Sequence, residues 1–164
     1  MAGRARMSRL PALGPRGEGW VIIQFVLLGV VAVSGLAGPA WGGQARVVTS
    51  VLGAALLALG LLLAGRGLLD LREALTPLPH PRDGASLVHT GSYRLVRHPI
   101  YGGIIIGAAG YGLLMASPLT LAGAAGLLGF FRLKSGREEV WLEARYPDYA
   151  AYRVRTRRLL PLLY

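Results

Sequence analysis

Three long stretches without a charged residue limit what this sequence can fold into. Between Glu18 and Arg46 lie 27 residues with no Asp, Glu, Lys, Arg or His, and Trp20 to Ala37 within them is almost wholly apolar. Nineteen more, Val47 to Gly65, separate Arg46 from Arg66, close to the roughly 20 residues an α-helix needs to cross about 30 Å of hydrocarbon. The third stretch runs 33 residues, from Pro99 to Phe131. As one helix rising about 1.5 Å per residue it would overrun the bilayer, so it must fold back. Ser117-Pro118 is the natural turn, because proline lacks an N–H and disfavours a helical residue before it. The arms are Pro99 to Ala116 and Leu119 to about Leu133. The second is short for a span, which predicts a tilt or a basic end that snorkels to the interface. The expected fold is an all-α integral membrane protein with about four transmembrane helices.

Composition agrees with that reading. With 53% hydrophobic residues, 16% charged residues and 24 glycines in no fixed period, the chain is neither disordered, nor collagen, nor an ordinary soluble domain. It has no cysteine, which removes disulfides, thiolate nucleophiles and Cys-based metal sites. A net charge of +10 would suggest nucleic acid in a soluble domain, but the positions of the charges argue for a membrane. Seventeen of the eighteen Lys and Arg fall in residues 1–19, 66–98 and 132–164, leaving Arg46 alone on the other side. By the positive-inside rule both termini and the middle loop are cytoplasmic, and the basic excess meets anionic lipid headgroups. The chain reads as a single unit, 1–164. It divides into a basic tail (1–19), two spans (20–65), a cytoplasmic loop (66–98), a helical hairpin (99–133) and a cytoplasmic helix with tail (134–164). A cleaved signal peptide ending near Gly35-Leu36-Ala37 is the competing reading of the N-terminus, although the apolar run is long for one.

Within the spans, Gly53, Gly60 and Gly67 fall seven apart, Gly103 and Gly107 form a small-xxx-small pair, and Gly123, Gly126 and Gly129 recur every third residue. All suit close helix packing, within the chain or between copies. Gly107 to Gly112 inverts the dinucleotide-loop spacing and follows no strand, so it fails as a nucleotide motif. In the loop, residues 66–75 continue the second helix along the interface. Pro77, Pro79 and Pro81 then enforce an extended, polyproline-like crossing. Aromatic, basic and imidazole groups crowd residues 87–102, where Pro99 suits a helix's first turn and His98 its cap. Lys134 and Glu138, spaced i, i+4, share a helix face. Tyr146, Tyr149 and Tyr152, three apart, suit an interfacial aromatic belt. His80 and His89 read as bystanders, and no H-x-x-x-H or H-E-x-x-H spacing supports a metal site.

Taken together, these blocks resemble the isoprenylcysteine carboxyl methyltransferase family and its phospholipid-methylating relatives. The resemblance covers about Leu75 to Tyr164. It comprises Gly91-Ser-Tyr-Arg-x-x-Arg97-His98-Pro99-x-Tyr101-x-Gly103, then Glu138-Glu139, then Tyr146-x-x-Tyr149-x-x-Tyr152 ending in Arg158-Leu-Leu-Pro161. It implies a bacterial inner-membrane enzyme that uses S-adenosylmethionine and releases S-adenosylhomocysteine. Val88, Tyr93, His98, Pro99, Ile100, Tyr101 and Glu138 would bind the cofactor, with Val88 at the adenosine. The acceptor would be a lipophilic or prenylated molecule, its head near Lys134 or Arg137. Lys134 stands where the family usually carries arginine, and so lacks that residue's bidentate fork. Ser92 replaces a common proline.

The residues can meet what a sulfonium methyl donor needs: a carboxylate for its amine, donors for its carboxylate, an apolar wall and a water-poor path. Positioning and desolvation supply the acceleration, and a carboxylate nucleophile needs no general base, so no catalytic residue is assigned. Open alternatives are a phospholipid N-methyltransferase, a small-thiol S-methyltransferase and a non-enzymatic membrane scaffold.

Overall fold

The computed structural model of the chain describes residues 10–160. Residues 1–9 of the basic tail and Pro161 of the terminal motif lie outside the described residues. Among the described residues five helices follow in order: α1 (Glu18–Ser34), α2 (Gly43–Leu71), α3 (Pro99–Leu114), α4 (Pro118–Arg145) and α5 (Tyr149–Arg155). Short 3₁₀ turns occupy Gly35–Ala37, Arg72–Ala74 and Gly91–Arg94. Among the described residues there is no strand, and Val96 and Arg157 form an isolated parallel bridge. The protein is all-α, as its charge pattern predicts.

Two helices, α1 with its extension to Ala37 and α2, are long and apolar enough to cross a bilayer. A core helix of a soluble protein passes the same test but hides its apolar side chains. Here only 11% of the most apolar stretch of α2 is buried, and Ile22, Phe25, Val33, Val51 and Leu62 are all more than 60% exposed. Apolar surface left in water forgoes about 25 cal/mol per Å² of burial, and continuous exposed apolar faces mark contact with another phase. Lipid is the solvent that fits them. The other two expected spans do not reach that length unaided. α3 has 16 residues, and the apolar part of α4 gives way to Arg132 and Lys134 within a continuous helix of 28 residues.

The hairpin turn falls where proline placed it. α3 stops at Leu114, two residues earlier than expected, because Ala116 adopts a left-handed conformation with φ of 51°. The Ser117 side chain caps α4, accepting from the Thr120 backbone N–H at 3.2 Å, and Pro118 occupies the first turn. The same corner ties down α1: Ser34 and Thr120 share a hydroxyl bond of 2.9 Å, and Ser117 Oγ donates to the Ser34 carbonyl oxygen at 3.2 Å. Further along, Trp20 of α1 meets Phe130 of α4 with ring centroids 5.8 Å apart. α1 is therefore packed into the bundle.

The glycine strip of α2 packs against α3. A Cβ on Gly53 would lie 2.7 Å from the Gly110 carbonyl oxygen, one on Gly67 would lie 3.0 Å from Pro99 Cγ, and one on Gly60 would collide with the backbone of Gly103 and Gly107. Backbone this close tolerates no side chain, so these glycines serve packing within the chain. Gly123 likewise receives Val31, whereas Gly126 and Gly129 meet nothing within 4 Å. Gly60→Leu is expected to destabilise the protein by about 3 kcal/mol or more. Gly29→Leu, where a Cβ meets open space, should change little, and thermal unfolding in detergent separates the two.

Candidate active site

Two chain segments meet beneath the start of α3. Residues 93–98 lead into that helix, with His98 at its cap and Pro99 in its first turn. The stretch after α5 runs alongside them: the Arg97 N–H donates to the Arg157 carbonyl oxygen at 2.8 Å, and the His98 N–H to that of Arg158 at 3.0 Å. Gly102 has no side chain, which lets the Leu159 carbonyl approach the helix. On the other flank Asp70, at the end of α2, accepts from both the backbone N–H and the hydroxyl of Ser92 at 2.7 Å. The 3₁₀ turn carrying Tyr93 is thereby fixed to α2.

Beneath this junction lies a buried ion network. Glu139 is fully enclosed. Arg97 Nε donates to its Oε1 at 2.8 Å, Arg158 Nη2 to its Oε2 at 3.0 Å, and His98 Nε2 lies 3.3 Å from Oε1. Arg97 also donates through Nη1 to the carbonyl oxygens of Arg153, at 3.1 Å, and Thr156. Burial alone would raise the Glu139 carboxyl, but its bond to His98 and the charges of His98, Arg158 and Arg97 outweigh that, and hold it at about 2. An ionised Glu139 accepts from His98 Nε2, and the other nitrogen, Nδ1, lies 3.8 Å from Glu138 Oε2.

Glu138 has a different setting. It lies one residue along α4, with a side chain 22% exposed, and it faces a cavity of about 360 Å³. Small-molecule sites typically span about 300–1,000 Å³. The Tyr101 hydroxyl donates to Glu138 Oε2 at 2.9 Å. Burial raises the Glu138 carboxyl, and Glu139 adds to the rise, against the opposing pull of His98, Tyr101 and Lys134. A raised carboxyl marks a place short of positive charge, which a bound cation would supply. The His98 and Tyr101 rings stack with centroids 5.4 Å apart, and Tyr101 stacks on Phe131 at 4.6 Å. Lys134, only 1% exposed, has its ammonium 5.1 Å from the centre of the Tyr101 ring and bonds Gln24 of α1. The extended proline segment lines the cavity with Pro77, Pro79 and Val88. That segment is held down by His80 against Trp141 and by Asp83 between Arg16, at 3.5 Å, and Arg145, at 3.3 Å.

The cavity brings together Val88, Tyr93, His98, Ile100, Tyr101, Lys134 and Glu138 of the residues singled out in the sequence. Pro99 instead packs against Gly67, and Arg137 stacks on the Trp141 ring at 4.3 Å; neither lines the cavity. One sequence expectation is overturned. Tyr149 and Tyr152 form no interfacial belt: they are 1% and 6% exposed and line the cavity with Tyr146. α5 turns inward because Tyr152 donates to the Tyr93 carbonyl oxygen at 2.6 Å and Tyr146 to that of Ala85 at 2.7 Å. Sequence reasoning missed the role of Arg97, Glu139 and Arg158, though two adjacent glutamates on one helix already called for buried cations. It also missed Gln24, whose signal was a lone amide in an apolar span.

The cavity fits a ligand carrying both charges and an apolar face. Glu138 would receive a cation, and the buried Tyr149 hydroxyl has no hydrogen-bond partner among the described residues. Val88, Ile100 and the proline segment form the apolar wall. Comparison with known proteins accords with this chemistry. No curated protein matches the chain, but the family model for phospholipid methyltransferases matches residues 48–149, from α2 to the first residue of α5. The matched stretch carries the His98–Tyr101 segment, the Glu138-Glu139 pair and most of the cavity wall. The chain therefore belongs to the phospholipid methyltransferase family, which includes isoprenylcysteine carboxyl methyltransferase-like proteins, and is a membrane methyltransferase.

Proposed function

We propose that the protein uses S-adenosylmethionine to methylate a lipophilic acceptor with an anionic head, most like the carboxylate of an isoprenylated cysteine. The observation that carries this reading is the cavity itself, which joins a carboxylate-lined polar end at Glu138 to a buried cation at Lys134 beside apolar helices. Bound S-adenosylmethionine supplies an electrophilic methyl group on a sulfonium centre.

The chain's own residues then do four things. Glu138, oriented by the Tyr101 hydroxyl with His98 alongside, takes the donor's ammonium end. Val88, Ile100 and the proline segment exclude water from its apolar part, and Pro99 fixes the helix start that carries His98. Lys134, held by Gln24, presents a positive charge to the acceptor's head, while Arg137 stays on Trp141. An anionic nucleophile has no proton to lose, so the site needs no general base, and positioning in a dry cavity supplies the acceleration. A second reading, methylation of a phospholipid amine, is favoured by the family's description. It is disfavoured by the buried ammonium of Lys134, which repels an ammonium acceptor.

Transfer of labelled methyl groups from S-adenosylmethionine, tested with S-farnesylcysteine and with phosphatidylethanolamine, decides between them. The anionic reading expects a base-labile methyl ester on the farnesylcysteine. Label confined to the lipid amine would overturn it in favour of the second.

A further inference from the structure

Among the donors that line the polar end of the cavity, one fully buried hydroxyl has no partner among the described residues. Tyr101 gives its proton to Glu138, Tyr152 to the Tyr93 carbonyl, and Arg97 and Arg158 bond Glu139. His98 Nε2 also faces Glu139. These donors are engaged before any ligand arrives. Tyr149 differs: it is 1% exposed and lines the same cavity, yet its hydroxyl has no hydrogen-bond partner among the described residues. Buried hydroxyls are almost always paired, and an orphan calls for a reason. Tyr149 does not relieve the deficit by swinging into solvent. It is the first residue of α5, its N–H is tied to the Tyr146 carbonyl oxygen at 3.0 Å, and its ring packs edge-on against Tyr152 at 5.8 Å.

We propose that the Tyr149 hydroxyl is a ligand donor, placed in the cavity to bond the carboxylate of the methyl donor's amino-acid end. The assignment rests on the methyltransferase reading above and adds a residue of α5 to its cofactor site. An α-amino acid carries its ammonium and carboxylate on one carbon, so a ligand whose ammonium sits on Glu138 places its carboxylate in the same end of the cavity. The charges of Glu139, Arg97 and Glu138 all reach Tyr149 there. A phenol proton pushed well above its usual pKa by burial is retained at every physiological pH, so the group is always a donor.

The test is Tyr149→Phe, with calorimetry on two ligands: S-adenosylhomocysteine, and 5′-methylthioadenosine, which keeps the adenosine and sulfur but lacks the amino-acid end. Loss of a hydrogen bond to a charged group weakens binding about ten- to one-hundred-fold. That loss is expected for S-adenosylhomocysteine, with 5′-methylthioadenosine unchanged. The ligand-free variant should melt no lower than wild type, since no protein bond is removed. Equal S-adenosylhomocysteine affinity in both proteins would overturn the assignment and give the hydroxyl to a buried water. An equal loss for both ligands, with a lower melting temperature, would overturn it in favour of a packing role. If the wild type binds neither ligand, the failure lies in the methyltransferase reading and not in Tyr149 alone.

Discussion

Replacing Glu138 by alanine should weaken S-adenosylmethionine binding by one to two orders of magnitude while leaving a folded, membrane-inserted protein. The carboxylate faces the cavity and its pKa is raised by burial, so its removal relieves the protein of an incompletely compensated charge. It also takes away the acceptor for a ligand cation. A charge-assisted contact of this kind is worth about 1.5–3 kcal/mol, which weakens a micromolar ligand about ten- to one-hundred-fold. Equilibrium dialysis with labelled S-adenosylmethionine measures the loss, and a melting temperature within a few degrees of wild type shows that folding is intact. Wild-type binding in the variant would show that the polar end of the cavity has been assigned wrongly.

The second large effect lies one residue further along α4 and has the opposite character. Arg97→Met leaves Glu139 buried with part of its positive partnership gone, and it frees the carbonyl oxygens of Arg153 and Thr156 that Arg97 now bonds. Breaking a buried ion pair from one side costs about 3–5 kcal/mol, which for a chain of this length lowers the melting temperature by roughly 10 °C. Removing both charges, in Arg97→Met with Glu139→Leu, should recover part of that loss, because the uncompensated carboxylate is gone as well.

The same pair sets a pH dependence. Glu139 is held at about 2 against an ordinary 4.5. Its contribution is therefore fully present above 4.5 and is lost as pH falls from 4.5 through 2. The shift corresponds to roughly 3 kcal/mol. Melts between pH 7 and pH 3 should decline steeply below 4.5 in the wild type and more gently in Glu139→Gln. A parallel decline in both would place the acid sensitivity elsewhere.

How much of this was legible in the sequence follows from which forces leave a one-dimensional trace. Bilayer crossing leaves uninterrupted apolar length, so α1 and α2 were visible in the gaps flanking Arg46, and Pro118 marked the hairpin. Close approach of helices leaves glycine at fixed spacing, and Gly53, Gly60 and Gly67 do face α3. The α4 extension was harder to delimit. Beyond Phe131 its buried residues are Lys134, Ser135, Gly136 and Glu139, a face that no apolar period reveals. At the site, the segment from His98 to Tyr101 and Glu138 stood out as a motif. The partners that hold it come from far along the chain: Arg97 and Arg158 reach Glu139 across sequence separations of 42 and 19 residues. Tyr149 and Tyr152 were misread because spacing of three fits an interfacial helix and an inward-facing one equally well. Only the tie from Tyr152 to the Tyr93 carbonyl determines which face turns in.

The most direct measurement of the central claim is a calorimetric titration of the detergent-purified protein with S-adenosylhomocysteine. Saturable binding in the micromolar range, at one site per chain, is the result expected if Glu138 takes an amino-acid ammonium and Val88 and Ile100 wall the adenosine. An absence of binding heat at several temperatures, from protein that still melts cooperatively, would contradict the account and leave the cavity without the ligand assigned to it.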